Sequence, residues 1–310
     1  MNYTHIHLLL NHFPTIGFCI GLAIFVIALV RKSEELQEAG LVIFFLTAAV
    51  TIATYVSGND AQEAMRDTAG VSEALVKAHE SAALVAFVFM QATGFFAWVG
   101  LWMLRRIQRV AGWNLAVITI LAIVTFGLMA RAANMGGEIR HAEIQDAQAA
   151  SLDPDAPTLA RSWGKYVEAH TWVWPTSETL HFVGLSMLFG VVLTLDLRML
   201  GVGKKTLSFE ALYQLLPLGM LGFTLNLITG MMFFVAMPKQ YVGFLFFLKM
   251  MLVVFGALNV LYFMVCKAPW TVGDGDDAPA LTKLIAASAI VIWIAVLFCG
   301  HMLPWLGNSF

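Results

Sequence analysis

A chain of 310 residues that is 59% hydrophobic, only 12% charged and near neutral (net charge −2) cannot shield its apolar surface from water as a soluble domain. Its mean hydropathy of +0.78 points to lipid as its solvent. The small charge excludes nucleic acid as a partner, and three scattered cysteines exclude a disulfide framework, covalent c-type heme attachment and zinc or iron–sulfur spacing.

Apolar runs of about 18 or more residues are long enough to cross a bilayer as helices. Eight are predicted in chain order: 14–30, 40–57, 81–104, 113–133, 179–197, 211–236, 242–266 and 281–303. The expected fold is therefore an all-α polytopic membrane protein. Its expected organisation is a first four-helix bundle over 1–135, a periplasmic loop with a short amphipathic helix over 136–178, and a second four-helix bundle over 179–310. The first run is no cleavable signal, because Arg31 and Lys32 stand at its far end and no basic residue precedes it. Basic residues flank alternate short connections: Arg31 and Lys32, then Arg105, Arg106 and Arg109, then Arg198, Lys204 and Lys205, then Lys267 and Lys283. The positive-inside rule makes these connections cytoplasmic and places both termini in the periplasm of a bacterial inner membrane.

With that topology all eight histidines fall on the outer side. His5, His7 and His170 read as loop residues. His12 precedes the first helix, His79 precedes the third, His141 follows the fourth, His181 opens the fifth and His301 closes the eighth. Imidazole is the commonest protein ligand of heme iron and of several other metals, so these five form the candidate heme or metal ligand set. The simplest pairings are His12 with His79 or His141, and His181 with His301. Arg131 and Arg140 stand where heme propionates would emerge, and Arg suits bidentate contacts to carboxylates. Lys249, an ionisable residue near the outer end of the seventh helix, is a further candidate for a propionate or a quinone carbonyl. At the inner end, Asp196 and Arg198 read as an interfacial ion pair. Asn226 and Thr229 read as interhelical hydrogen-bond partners, and most glycines as helix-packing positions. The segment Leu159–Tyr166 is amphipathic, and Trp172, Trp174 and Pro175 read as an aromatic belt.

The two halves look like a tandem repeat. His12-Phe13 enters the first helix as His181-Phe182 enters the fifth, and Gly136-Gly137 ahead of His141 matches Gly300-His301. His79 has no histidine counterpart in the second half, where Tyr241 and Lys249 stand instead. The first half resembles a family of uncharacterised bacterial four-helix membrane proteins suspected of binding heme. The residues that carry this are Asn11-His12-Phe13-Pro14, His79, and Gly136 through His141. The second half is similar to another uncharacterised bacterial membrane family, through Leu180 to Gly184, Asp196-Leu197-Arg198, Thr229-Gly230, and Lys249 with Asn259. The architecture also resembles b-type membrane cytochromes.

These readings converge on a b-type cytochrome subunit. One or two hemes b near the periplasmic face would relay electrons between the quinone pool and a periplasmic redox partner such as a c-type cytochrome. The outer side carries more acid than base, which would steer a basic partner. An electron-transfer subunit of a larger oxidoreductase complex fits better than a stand-alone enzyme. The alternatives are a metal-ion or small-solute transporter, for which Pro217 would mark a broken helix, and a cofactor-free membrane anchor.

Overall fold

The computed structural model describes residues 3–65, 71–139, 141, 145, 152–153, 157–266, 268–273 and 275–306. No strand occurs among them, and eight helical segments are long and apolar enough to cross a membrane. The chain divides into two compact units, Met1–Ser162 and Trp163–Phe310.

The first unit holds α1 (Tyr3–Leu10), α2 (His12–Arg31), α3 (Glu34–Met65), α4 (Glu73–Ile107) and α5 (Gly112–Glu138). α1 and α2 act as one span, Thr4–Arg31. α3 and α4 have 32 and 35 residues, or roughly 48 and 52 Å at 1.5 Å per residue. Both outrun the roughly 30 Å hydrocarbon layer, so an apolar run marks the crossing but not the helix end. Their limits are set locally. Glu34, Glu35 and Glu73 occupy first turns, where carboxylates favour the positive end of the helix dipole. Ser72 caps α4 by accepting from the Leu75 amide, and left-handed Lys32 closes α2.

Packing in this unit depends on small residues. Pro14, Phe18, Gly21, Phe25 and Ala28 form the buried stripe of α2. Gly21 meets Ile43 and Phe44 of α3, and Gly40 of α3 lies against the backbone of Phe25. Gly94 of α4 packs on Ala48 of α3, while Gln91 Nε2 donates to the Ala48 carbonyl at 2.8 Å. Between α4 and α5, the Thr93 and Thr125 hydroxyls pair at 3.0 Å, and Asn114 Nδ2 donates to the Phe96 carbonyl. α2 also touches α5.

The second unit contains most of α6 (Leu159–Ala169), then α7 (Val173–Met199), α8 (Phe209–Tyr213), α9 (Leu216–Ala236), α10 (Phe244–Val265) and α11 (Ala280–Leu306). α8 and α9 together make one span. α7 packs on α9 and on α11, and α10 packs on α11. Gly184 and Gly222 bring the backbones of α7 and α9 together, and Asn226 Nδ2 donates to the Gly222 carbonyl at 3.0 Å. Leu188, Ala289, Trp293 and Val296 form one apolar cluster; Leu195, Met199, Phe209, Phe263, Ala278 and Ala286 form another nearer the other end of α7. The amphipathic helix forms as expected, as α6. Trp163 Nε1 donates to the Met232 carbonyl at 3.1 Å, and Gly164 approaches the Ala236 carbonyl.

One sequence expectation is corrected here. Among the described residues no ion pair joins Asp196 to Arg198. Positions i and i+2 of a helix do not face each other. Arg198 turns away instead: its Nε donates to the Leu207 carbonyl at 2.7 Å and its guanidinium lies 4.0 Å over the Phe209 ring. Pro217 follows an interruption, as a broken-helix signal would: the span divides at 214–215 into α8 and α9. The proline stands in the first turn of α9, where its missing N–H has no intrahelical partner to lose.

Candidate functional site

In the first unit two partly buried imidazoles converge at one end. His7, on α1, directs Nδ1 to the Thr54 carbonyl of α3 at 3.0 Å and to Ser57 Oγ at 3.3 Å. Its ring rests on Gly58, where a Cβ would come within 3.0 Å of Cε1. His79, two turns into α4, directs Nδ1 to the Ala132 carbonyl of α5 at 2.9 Å, and its ring rests on Gly136, where a Cβ would come within 3.1 Å. A carbonyl oxygen only accepts, so Nδ1 carries the proton in both rings and Nε2 keeps its lone pair. The two rings lie within electrostatic reach of each other. An imidazole whose Nδ1–H is fixed on a carbonyl, with Nε2 bare, is the state in which histidine ligates a metal. Each ring also packs against a glycine, whose missing Cβ makes room for the ring itself.

The second unit repeats this plan with one change. His181 on α7 places Nδ1 2.8 Å from Thr229 Oγ1 of α9. The Thr229 hydroxyl spends its proton on the Leu225 carbonyl at 2.6 Å, so it accepts from His181 and again leaves Nε2 bare. Gly230 lies beneath the His181 ring, and Phe233 meets it edge-on. On α10, near its start as His79 is near the start of α4, stands Lys249. A Cβ on Gly300 of α11 would come within 3.2 Å of Lys249 Nζ. Lys249 lies within electrostatic reach of both His181 and Cys299. It has no hydrogen bond and no carboxylate partner among the described residues. Nearby, burial pushes the Tyr241 phenol up to about 12, and the Glu178 carboxylate adds to the shift.

The predicted site residues thus separate. His79, His181 and Lys249 turn inward. His12, His141, His301 and Arg131 are exposed, and Arg140 lies outside the described residues. Neither simplest pairing forms from two inward side chains, since His12, His141 and His301 all point outward. His5 and His7, expected in a loop, both belong to α1; His7 packs inward and His5 is exposed, while His170 stacks on Tyr166. A signal for His7 was present in the sequence. The α2 stripe at 14, 18, 21, 25 and 28 steps by three and four; carried backward it passes Asn11 and reaches His7, while His12 is off the stripe. His181 likewise continues Gly184, Leu188, Val191 and Leu195. Among the described residues no group of three or more His, Cys, Asp or Glu side chains is placed to hold a metal ion.

Residues 164–309, almost the whole of the second unit, match the model of a family of unknown function, DUF6644. No curated protein and no solved structure gives a significant match to the chain.

Proposed function

We propose that the protein is a b-type cytochrome subunit of the bacterial inner membrane. It relays electrons between the quinone pool and a periplasmic redox partner such as a c-type cytochrome. In this reading each unit is a four-helix bundle, both termini are periplasmic, and a heme b lies in the first bundle between His7 and His79. The observation that carries it is the pair of imidazoles on the first and third spans. Each is anchored through Nδ1 to a carbonyl of the neighbouring span, and each lies over a glycine.

Heme iron between two imidazoles supplies one-electron exchange without binding a substrate. The chain's own part is orientation. Thr54 and Ala132 fix the two rings and raise the basicity of Nε2. Gly58 and Gly136 let the two rings seat against the neighbouring helices, and Arg131, beside Ala132, would meet a propionate. His12, His141 and His301 become surface residues in this reading.

The test is the spectrum and heme content of the protein purified from heme-replete cells. Extractable heme b is expected, lost in His7→Ala and in His79→Ala and retained in His12→Ala, His141→Ala and His301→Ala. A folded, colourless protein overturns the reading. Full heme content in both His7→Ala and His79→Ala overturns the ligand assignment.

A further inference from the structure

The two units present the same framework at corresponding places. On the first span, His7 and His181 each offer a bare Nε2, with Nδ1 tied to the second span at Thr54 and Thr229. Gly58 and Gly230 lie beneath those rings. On the third span, His79 and Lys249 each carry a nitrogen over a glycine of the fourth span, at Gly136 and Gly300. The clearances at those two glycines, 3.1 and 3.2 Å, are nearly equal. Each first-span histidine lies within electrostatic reach of its third-span partner. The first-span histidine and the fourth-span glycine recur, while the first-span anchor changes from a carbonyl to a hydroxyl and the third-span donor from a carbonyl-anchored imidazole to an amine with no hydrogen bond among the described residues.

Lys249 is hard to account for as packing. A charged ammonium inside a membrane helix bundle is costly unless a carboxylate or several acceptors meet it. None of the described residues does so. The unprotonated form of the amine has one lone pair and would be a nitrogen donor to iron. Cys299, buried beside it, gives no compensating carboxylate.

We propose that the second unit is also a heme site, with iron held between His181 Nε2 and Lys249 Nζ. This rests on the heme reading of the first unit but uses none of its ligands. The ligand pair differs, so the two centres should differ in spectrum and potential: an amine is a σ-donor without the π-system of imidazole. The chain would then carry two inequivalent hemes at one end of its spans.

The experiment uses the full-length purified protein, with heme-to-protein ratio and low-temperature electron paramagnetic resonance as readouts. The expected wild-type result is two hemes per chain and two distinct low-spin signals. His181→Ala and Lys249→Ala should each remove one heme and one signal, while His79→Ala removes the other. Lys249→His should keep both hemes and convert the second signal to a bis-imidazole type, and this variant guards against misfolding in Lys249→Ala. One heme per chain, indifferent to His181→Ala, overturns this inference and leaves the first-unit site standing. Two hemes with unchanged signals in both Lys249 variants overturn the lysine ligand. A single heme lost in His181→Ala but kept in His79→Ala supports this site and sinks the first. A colourless protein overturns both.

Discussion

The α7–α9 crossing gives the sharpest stability prediction, because two glycines set its distance. A Cβ added at Gly222 would lie 2.6 Å from the Gly184 carbonyl oxygen, 2.6 Å from the Leu188 amide nitrogen and 2.9 Å from Met187 Cβ. Ordinary contact begins near 3.4 Å, so the methyl falls roughly 0.8 Å short of room against two backbone atoms that no rotamer change can move. Gly222→Ala must therefore push the helices apart. That strains the crossing and disturbs the Asn226 bond to the Gly222 carbonyl. Overpacking of this kind costs about 1–3 kcal/mol, and the upper end applies where the obstacle is backbone. Gly190, on the same α7, has no neighbour within 4 Å of its would-be Cβ. Gly190→Ala should be neutral or stabilising by up to about 1 kcal/mol through helix propensity. The assay is equilibrium unfolding in mixed micelles under increasing dodecyl sulfate, followed by circular dichroism. A Gly222→Ala stability within about 0.5 kcal/mol of Gly190→Ala would refute the reasoning. The crossing also positions the putting-together of His181 and Thr229, so Gly222→Ala should loosen that pair as well.

Two further outcomes follow from polar contacts. The Lys204 and Lys283 ammonium groups, each 3.1 Å from the Asp277 carboxylate, hold its pKa below the usual carboxylate value. Folding therefore favours the ionised form. The stabilising contribution is complete above the ordinary carboxylate range and is lost as pH falls through the lowered value. Protection of the Gly275 amide, which donates to the Lys204 carbonyl at 3.1 Å, should fall below about pH 4 and in high salt when its exchange is compared with the intrinsic rate at each pH. Unchanged exchange in Asp277→Asn at neutral pH would count against the clamp. Trp163→Phe removes the donor to the Met232 carbonyl while keeping an aromatic ring, and should weaken the docking of α6 by about 1 kcal/mol. Limited proteolysis within 159–169 should then accelerate, and an unaltered cleavage rate would show that the bond contributes nothing.

The eight spans were legible in the sequence because hydropathy is summed over residues regardless of direction. Six of the eight expected runs lie within one helix, 211–236 is divided between α8 and α9, and 242–266 overruns α10 at both ends. The ends were not legible from hydropathy, since α3 and α4 continue past their apolar stretches on polar residues. This is why His79, expected just ahead of its helix, lies inside one. Asp196 and Arg198 show the same limit: neighbouring opposite charges invite pairing in one dimension, but a helix turns them to different faces.

The sequence by itself determined that the chain is all-helical, how many segments can cross a membrane, and that histidines gather at helix ends. Composition and run length carry that information without any knowledge of packing. Only the tertiary structure decided which of those histidines are buried. Burial depends on the angle a residue takes around its helix and on which neighbour that face meets. On that criterion His7, His79 and His181 turn inward, His12, His141 and His301 are exposed, and Lys249 lies against Gly300.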